Sequence, residues 1–372
     1  MIGVAPRLIT AIGAISGTSM DGIDVAVISS DGEAAVEPGP GATFSYPPDV
    51  HDALRRIIGD PQAARGALED IERAVTDSHV AAIQAFMTEY GLDEASVALI
   101  GLHGQTILHL PRERFTRQLM DGARAARALG IDIVNDFRSA DIAAGGQGAP
   151  LVPLYHAAIS TAAPRPLTVL NWGGVGNVTY LGATDEIVAF DTGPANALLD
   201  DFLMRRRGLS HDADGALAAA GRVDAAILAA LMRDPYFSKP PPKSLDRNHF
   251  HEAARSVDAL SDADGAATLA AFTVEATAAA ARFFSSPPRR WLVTGGGRRN
   301  RTLIEALGRR LAAPVEPIEA IAHDGDALEA QCFAYLAIRS RRGLPLSLPT
   351  TTGVARPTTG GAFWPRADAG AS

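Results

Sequence analysis

The chain has 372 residues, 47% of them hydrophobic and 20% charged, and its formal net charge is −8. This length is too great for one ordinary core, so the composition predicts a globular protein of two domains. No Lys/Arg block stands out, which argues against nucleic acid and anionic membrane as partners. The apolar runs are also too short for a membrane span.

Cysteine and histidine usage excludes several kinds of site. Cys332 is the only cysteine, which rules out an intrachain disulfide and a cysteine metal cluster, and we interpret it as a small apolar residue in a helix. No His-x-x-x-His pair occurs, so no zinc site is predicted. The stretch 1–16 is too short and too β-branched for a signal peptide, and we therefore expect a cytoplasmic protein.

Lysine is confined to one short loop. Lys239 and Lys243 are the only lysines, and arginine supplies the other basic side chains. A general composition bias explains the excess of arginine but not the survival of two lysines side by side. We interpret the loop as a segment that handles a charged ligand.

In chain order, the first half predicts strands, helices and polar turns. Short β-branched runs separated by Gly and Asp are typical of hairpins. The predicted strands are 8–16, 23–28, 97–102 and 131–134, and the predicted helices are 49–58, 67–90 and 120–129.

The second half repeats this theme. A helix is predicted directly after Pro194, because proline is favoured in a first turn. The other predicted elements are strands at 167–171, 178–181, 187–190 and 291–294, and helices within 213–285 and at 299–311 and 325–342.

Each half therefore opens with a strand, a glycine turn and a second strand, and continues into helices. The repeat predicts two similar α/β domains that face each other across a cleft, where ligands commonly bind. We place the N-terminal domain at 1–130, with 345–366 returning to it, and the C-terminal domain at 131–344. The segment from Gly343 is either disordered or laid back on the first domain.

The strongest single motif is the turn SGTSMDGID, which begins at Ser16. Its glycines let backbone N–H groups approach an anion closely, although a lone turn of this kind is more often only a polar turn. It lacks the lysine-containing phosphate-loop pattern. Asp21 and Asp24 could hold Mg²⁺, because hard cations prefer oxygen ligands. The predicted ATP-binding residues of this turn are Gly17, Thr18, Ser19, Met20, Asp21, Gly22, Ile23 and Asp24.

Two further glycine turns follow strands in the second half. NWGGVGN lies between two strands and predicts a second phosphate clamp, whereas VTGGGRRN joins a strand to a helix and lets a flat base or ribose lie against bare backbone. A flexible loop is the alternative for VTGGGRRN. The predicted ATP-binding residues here are Gly173, Gly174, Asn177, Gly295, Gly296, Gly297 and Asn300.

Asp191 ends a predicted strand and precedes a predicted helix. It is either the cap of that helix, which is the commoner role, or a catalytic base. Thr192 could supply the cap and leave Asp191 free.

Polar clusters after strands indicate recognition of a hydroxylated, carboxylated substrate. Arg138 suits a carboxylate, and Gln105 and Gln147 suit hydroxyl or amide groups. Each could instead organise its own loop. Glu329 near the start of a late helix could simply interact with the helix dipole. The predicted substrate-binding residues are His103, Gln105, Arg138, Gln147 and Glu329.

Taken together, the motifs resemble those of the anhydro-N-acetylmuramic acid kinase family, within the sugar kinase, actin and chaperone-ATPase superfamily. The resemblance covers about residues 13–336. It departs from the family pattern at Val175-Gly176, at Ala195 and in the loop after Lys243. It rests on SGTSMDGID, LHGQTILH, NDFRSADIAAGGQGAPLVP, NWGGVGNVTYL, FDTGPANALLD, PPPKS, VTGGGRRN and DGDALEAQCFAYLA, in this order.

The resemblance implies a two-domain actin-like ATPase fold of ribonuclease H-like domains, a homodimer, and ATP and Mg²⁺ as cofactors. The implied reaction converts ATP, water and 1,6-anhydro-N-acetylmuramic acid into ADP and N-acetylmuramic acid 6-phosphate, in peptidoglycan recycling. Asp191 matches the family's catalytic aspartate, which activates the water, and Glu329 matches its sugar-contacting glutamate.

Three alternatives remain open from the sequence. The first is another sugar or carboxylate kinase of the same fold, which would share the phosphate turns. The second is a non-catalytic ATP-switch protein, although the segment after Leu344 is too short for a partner-binding domain. The third is a degenerate sugar-binding regulator, against which the intact Asp191 and the glycine turns count.

Overall fold

The structure is a computed structural model that describes residues 7–17, 20, 22–58 and 60–366. The strands are, in chain order, β1 (Ile9–Ser16), β2 (Ile23–Ser30), β3 (Val36–Phe44), β4 (Leu99–Leu110), β5 (Phe115–Leu119), β6 (Ile133–Asn135), β7 (Leu167–Trp172), β8 (Val175–Leu181), β9 (Ile187–Pro194), β10 (Trp291–Thr294), β11 (Val315–Pro317) and β12 (Ala362–Trp364).

The α-helices are α1 (Pro48–Ile57), α2 (Pro61–Ala64), α3 (Glu69–Glu89), α4 (Gly122–Leu129), α5 (Ser139–Ala143), α6 (Pro153–Ile159), α7 (Asn196–Arg207), α8 (Ala216–Ala220), α9 (Ala225–Leu231), α10 (His251–Ala254), α11 (Asp262–Ala280), α12 (Arg301–Leu311) and α13 (Leu328–Arg341). Short 3₁₀ turns occupy Pro111–Glu113, Ala213–Gly215, Pro235–Ser238, Arg255–Ala259, Ala281–Phe283, Gly296–Arg299 and Ile318–Ile321. No helix in the described part of the chain combines the length and apolar character needed to cross a bilayer.

The chain divides into two compact units. The first runs to Thr161 and resumes at Asp326, and the second is the intervening Ala162–Gly325. These limits differ from the expected 130/131 and 344/345 because two elements join the first sheet or its cover. Strand β6 pairs with β4, and helix α13 packs on β1, β2 and β4.

The two units contain sheets of the same design. In the first unit the order is β12-β6-β4-β1-β2-β3, with β5 paired to β4, and in the second it is β11-β10-β7-β8-β9. In each sheet three antiparallel strands are followed, on the other side of the first strand, by two parallel ones. The predicted α/β fold, with duplicated ribonuclease H-like domains of the actin-like type, is confirmed.

Glycines allow helix α13 to lie directly on the first sheet. A Cβ at Gly13 would stand 1.8 Å from the Ala330 carbonyl oxygen, and one at Gly101 would stand 2.1 Å from the Phe333 carbonyl oxygen. Since no side chain fits in that space, the close approach of helix and strands depends on both glycines. This contact fixes the start of α13, and with it Glu329.

The C-terminal segment returns to the first unit. Strand β12 pairs antiparallel with β6, and Thr352 Oγ1 donates a hydrogen bond to Asp141 Oδ2 at 2.5 Å. Of the two interpretations of this segment, the one that lays it back on the first unit matches the described residues.

Some predicted boundaries were wrong for physical reasons. Strand β3 was not predicted because it contains Pro38 and Pro40, which are tolerated because β3 pairs only with β2 at the edge. Strand β4 extends to Leu110 past Gly104, whose φ is 73° at a register shift. Helix α12 begins later than predicted because a 3₁₀ turn, Gly296–Arg299, precedes it.

Candidate active site

A row of polar side chains crosses the sheet of the second unit. Thr294 of β10 pairs with Asn171 of β7, Asn171 pairs with Asn177 of β8, and Asn177 pairs with Asp191 of β9. Residues paired in register lie on the same face of a sheet. The strand pairing therefore gathers residues from three separate sequence motifs.

The two glycine turns of this unit lie against each other. Gly295 has a φ of 70°, and a Cβ there would stand 2.3 Å from Asn171 Oδ1 and 2.8 Å from the Trp172 carbonyl oxygen. By contrast, a Cβ at Gly173 or Gly296 would meet no atom closer than 3.8 or 3.9 Å. Backbone is thus exposed beside both turns, as a nucleotide site requires.

Asn196 and Arg298 hold these turns together. Asn196 Nδ2 donates to the Trp172 carbonyl oxygen at 2.8 Å. The Arg298 side chain is 6% exposed, and its Nη1 donates to the Gly295 carbonyl oxygen at 3.2 Å while its Nε pairs with Glu319 at 2.8 Å. Neither residue was predicted. Asn300 is the N-cap of α12, and its Oδ1 accepts the Leu303 N–H at 3.0 Å.

Asp191 is half-buried and is held from three sides. The Leu245 N–H donates to its Oδ2 at 2.8 Å, its own N–H donates to the Lys243 carbonyl oxygen at 3.0 Å, and the Tyr236 hydroxyl donates to its carbonyl oxygen at 2.6 Å. Burial raises the pKa of Asp191 to about 7, opposed by the Leu245 hydrogen bond and the Lys243 charge. A carboxyl with that pKa can exchange a proton near neutral pH.

The interpretation of Asp191 as a helix cap was wrong. Asp191 lies inside β9, and α7 begins at Asn196 with Ala195 as an N-cap that makes no side-chain hydrogen bond. Thr192 is buried in the same strand and does not cap the helix either. The Asp191 carboxylate is therefore not used by a helix terminus.

The first glycine turn belongs to the first unit. Met20, with a φ of 58°, donates its N–H to the Gly17 carbonyl oxygen at 3.1 Å, and a Cβ at Gly22 would stand 2.6 Å from Thr43 Cγ2. Ile23 is 1% exposed, so only its backbone could reach a ligand. The predicted residues Thr18, Ser19 and Asp21 lie outside the described residues.

Asp24 follows this turn on β2. Its side chain is half-buried, and its Oδ1 accepts the Thr43 hydroxyl at 2.6 Å. Within residues 7–17, 20, 22–58 and 60–366, no three His, Cys, Asp or Glu side chains form a metal-binding group. Mg²⁺ bound with a nucleotide keeps several waters and needs only one or two protein carboxylates, so Asp24 fits such an ion.

Three of the predicted substrate residues come together in the first unit. Arg138 Nε donates to His103 Nε2 at 2.9 Å, and His103 Nδ1 lies 2.9 Å from the Gly104 carbonyl oxygen. Because Arg138 can only donate, His103 is neutral and carries its proton on Nδ1. Burial, and then the Arg138 charge, hold the pKa of His103 well below its usual value.

Glu329 is the carboxylate of this cluster. It is accessible to solvent, yet the surrounding protein raises its pKa by desolvation, reinforced by Asp24 and opposed by Arg138. In turn the Glu329 charge supports the protonated form of Arg138, whose pKa is lowered by burial. Arg138 Nη1 also donates to the Gly148 carbonyl oxygen at 2.7 Å. The first unit thus presents a guanidinium and a carboxylate together.

The two predicted glutamines are placed differently. Gln105 is fully buried: its Oε1 accepts the Ser16 hydroxyl at 2.5 Å, and its Nε2 donates to the Gly17 carbonyl oxygen at 3.2 Å. These hydrogen bonds support the first glycine turn, so the prediction of Gln105 as a substrate contact was wrong. Gln147 is half-buried beside the Arg138 cluster, with its N–H on the Thr352 carbonyl oxygen at 2.8 Å.

Comparison with known proteins agrees with the motif resemblance. Residues 9–366 match the family model described as anhydro-N-acetylmuramic acid kinase. The anhydro-N-acetylmuramic acid kinase of Rhodospirillum rubrum is 52% identical over 359 residues, which are 96% of this chain and 94% of the relative. That of Paramagnetospirillum magneticum is 51% identical over 352 residues, covering 94% of this chain and 98% of the relative.

The chain belongs to the anhydro-N-acetylmuramic acid kinase family. It is therefore an enzyme that transfers phosphate to a sugar, and the predicted role as a kinase of peptidoglycan recycling is confirmed. Among solved structures, component A of the (R)-2-hydroxyglutaryl-CoA dehydratase of Acidaminococcus fermentans is similar, with a TM-score of 0.49, 12% identity, and coverage of 89% of this chain and 99% of that one.

The two lysines of the loop expected to handle a charged ligand have different environments. Lys239 is exposed, but Lys243 is only 4% exposed, and its Nζ donates to the Tyr236 carbonyl oxygen at 3.0 Å. Its partners are internal, so Lys243 itself does not handle a ligand. Both lysines do lie in one loop, and the contact that Lys243 makes there is structural.

Proposed function

We propose that this kinase uses ATP to phosphorylate O6 of 1,6-anhydro-N-acetylmuramic acid while water opens the anhydro bridge. The water oxygen forms a bond to C1 as the bond between C1 and O6 breaks. The freed O6 attacks the γ-phosphorus, ADP leaves, and the proton of the water passes to a protein base. The products are ADP and N-acetylmuramic acid 6-phosphate.

Asp191 is the base in this proposal. Burial raises the pKa of its carboxyl to about 7, so the carboxyl can take up and release a proton near neutral pH. The Leu245 N–H on Oδ2 fixes the orientation of the carboxylate. A positioned general base typically contributes about 10²–10⁴-fold to the rate.

The glycine turns supply the ATP site in this proposal. In the second-unit turns Gly174 and Gly296 are exposed, and such bare backbone suits the phosphates and the adenosine. In the first unit, the turn from Gly17 to Asp24 stays a predicted ATP-binding segment, because glycines allow backbone N–H groups to approach an anion. Mg²⁺, held by Asp24 and by Asp21, would neutralise charge on the phosphate oxygens.

The first-unit cluster recognises the sugar in this proposal. The Arg138 guanidinium suits the carboxylate of the lactyl group. The accessible Glu329 carboxylate suits sugar hydroxyl groups, and neutral His103 keeps Arg138 in place through the 2.9 Å hydrogen bond to its Nε. Gln147 lies at the edge of the same cluster.

The single observation that carries the proposal is the half-buried Asp191 carboxyl with a pKa near neutrality. The test is product analysis by mass spectrometry after incubation with Mg-ATP and the anhydro sugar in ¹⁸O water. We expect ¹⁸O at C1 and phosphate at O6. Release of ADP with unchanged sugar would contradict the substrate.

The variant Asp191→Asn tests the role of the base. We expect turnover to fall by about 10²-fold or more while ATP affinity stays within about twofold. Asp185→Asn is the matched control, because Asp185 is exposed in the turn that precedes β9. Turnover of Asp191→Asn near that of the control would remove Asp191 from this role.

We also propose a cytoplasmic location and a homodimer, as the family resemblance implies. Light scattering of the purified protein measures the mass, for which the chain contributes 38.8 kDa. Phosphorylation of a different sugar, or of a carboxylate, in the same product analysis would instead support the alternative kinase of this fold.

A further inference from the structure

Lys243 lies in a cage of three aromatic rings. Its Nζ is 4.5 Å from the ring centre of Tyr236, 4.8 Å from that of Phe283 and 5.5 Å from that of Phe190. The same nitrogen donates to the Tyr236 carbonyl oxygen. A desolvated cation is attracted to the faces of aromatic rings at such distances. The cage thus holds this ammonium firmly inside the second unit.

The residues of the cage are also those that hold Asp191. Phe190 immediately precedes Asp191 on β9, and the Tyr236 hydroxyl donates to the Asp191 carbonyl oxygen. The Lys243 carbonyl oxygen accepts the Asp191 N–H, and two residues later the Leu245 N–H reaches the Asp191 carboxylate. The Lys243 side chain therefore anchors one end of segment 243–245, and both ends of this segment form hydrogen bonds with Asp191.

We propose that caged Lys243 is a positioning residue that locks 243–245 onto β9 and so aims the Leu245 N–H at the Asp191 carboxylate. This role rests on the proposed function of Asp191 as the base. Lys243 touches no reacting atom, since its Nζ is enclosed by protein. Its distant partners Phe190 and Phe283 tie the loop to the core of the second unit.

The charge of Lys243 acts in the same direction as the geometry. It lowers the pKa of Asp191 against the effect of burial, whereas the other charged groups facing Lys243 are Arg282 and Lys239. Burial first, and then those two cations, lower the pKa of Lys243 to about 8. Removal of the ammonium would leave Asp191 harder to ionise.

The chain offers a matched pair for the test. Lys243→Met keeps most of the length of the side chain but removes the charge, and Lys239→Met does the same at an exposed site in the same loop. For Lys243→Met we expect kcat to fall about 10- to 100-fold with little change in KM, because a small misplacement of a catalytic group has effects of this size. The acid limb of its pH profile, where kcat rises as Asp191 ionises, should move to higher pH by about one unit. Lys239→Met should match wild type.

Amide hydrogen exchange supplies a readout that does not depend on catalysis. We expect the Leu245 amide to exchange roughly tenfold faster in Lys243→Met, and at the wild-type rate in Lys239→Met. If Lys243→Met does not fold, Lys243→Arg serves instead. It should keep the acid limb of wild type, because arginine stays protonated.

The outcomes separate this proposal from the proposed function. Active Asp191→Asn with faster Leu245 exchange in Lys243→Met would overturn the base but leave Lys243 as the clamp of this segment. Wild-type kcat, pH profile and Leu245 exchange in Lys243→Met would overturn the positioning role. In Lys243→Arg, an acid limb shifted away from that of wild type would do the same.

Discussion

Asp191 of the second unit and Glu329 of the first unit both have a raised pKa, but the protein holds the two carboxylates in different ways. Asp191 lies in a strand, and hydrogen bonds from Leu245, Tyr236 and to Lys243 fix both its carboxylate and its backbone. Glu329 lies in the first turn of α13, and no hydrogen bond links its side chain to another described residue. A clamped carboxylate suits proton transfer, and an accessible one suits binding.

The largest expected effect is on the pH dependence of kcat, which should depend on Asp191 but not on Glu329. The Asp191 base works only when ionised, so kcat should rise with pH and level off above about 7. Each pH unit below that value costs about tenfold, which gives about 100-fold at pH 5. Glu329→Gln should keep this limb in a pH–rate measurement. Loss of this pH dependence in Glu329→Gln would instead make Glu329 the base and give Asp191 the binding role.

The packing that places Glu329 can be broken at Gly101. In Gly101→Ala, the new Cβ would stand 2.1 Å from the Phe333 carbonyl oxygen, so α13 must shift. We expect a loss of about 1–3 kcal/mol in the free energy of unfolding, measured with urea. Gly308→Ala is the control, because its Cβ would meet no atom closer than 3.6 Å in the middle of α12. It should stabilise by about 0.5–1 kcal/mol. Equal stabilities of the two variants would contradict the packing argument.

A smaller effect is expected from Glu329 itself. Glu329→Gln should raise KM for the sugar about tenfold, a loss of about 1.4 kcal/mol, while KM for ATP changes little. Steady-state kinetics with each substrate varied in turn provides the measurement. A fall confined to kcat would assign Glu329 to the chemical step instead of to binding.

The smallest expected effect is on the free energy of unfolding, which the buried Asp191 carboxyl makes dependent on pH. A carboxyl whose pKa rises from 3.8 to about 7 on folding stabilises the fold when protonated. This contribution is complete below pH 4 and is lost as pH rises through 7. At pH 8, Asp191→Asn should therefore be more stable than wild type, by on the order of 1 kcal/mol after relaxation and partial exposure are allowed for. Thermal unfolding at pH 4 should show no such gain.

The sequence predicted the repeated fold and the motif around Asp191 because both depend on local patterns. Glycine turns between β-branched runs mark the hairpins, and their register then aligns Asn171, Asn177 and Asp191 without further information. Strand β3 was missed because its prolines oppose a strand locally, and only its place at the sheet edge permits them.

Contacts between distant segments could not be predicted. The cage of Lys243 needs Phe190 and Phe283, which are far from it in sequence. Gln105 is buried and supports the first glycine turn, although its strand-end motif suggested a ligand contact. In both cases the residue type indicated a polar interaction, and the tertiary structure decided its partner.

The order of synthesis has a consequence for how this chain matures. Helix α13, which covers β1, β2 and β4, is translated only after all of Ala162–Gly325 has been made. Until then, the nascent first sheet lacks the helix for which Gly13 and Gly101 leave room. The second unit, by contrast, is continuous and can complete its core while still on the ribosome. Chaperone demand during translation should thus centre on the earlier-made half.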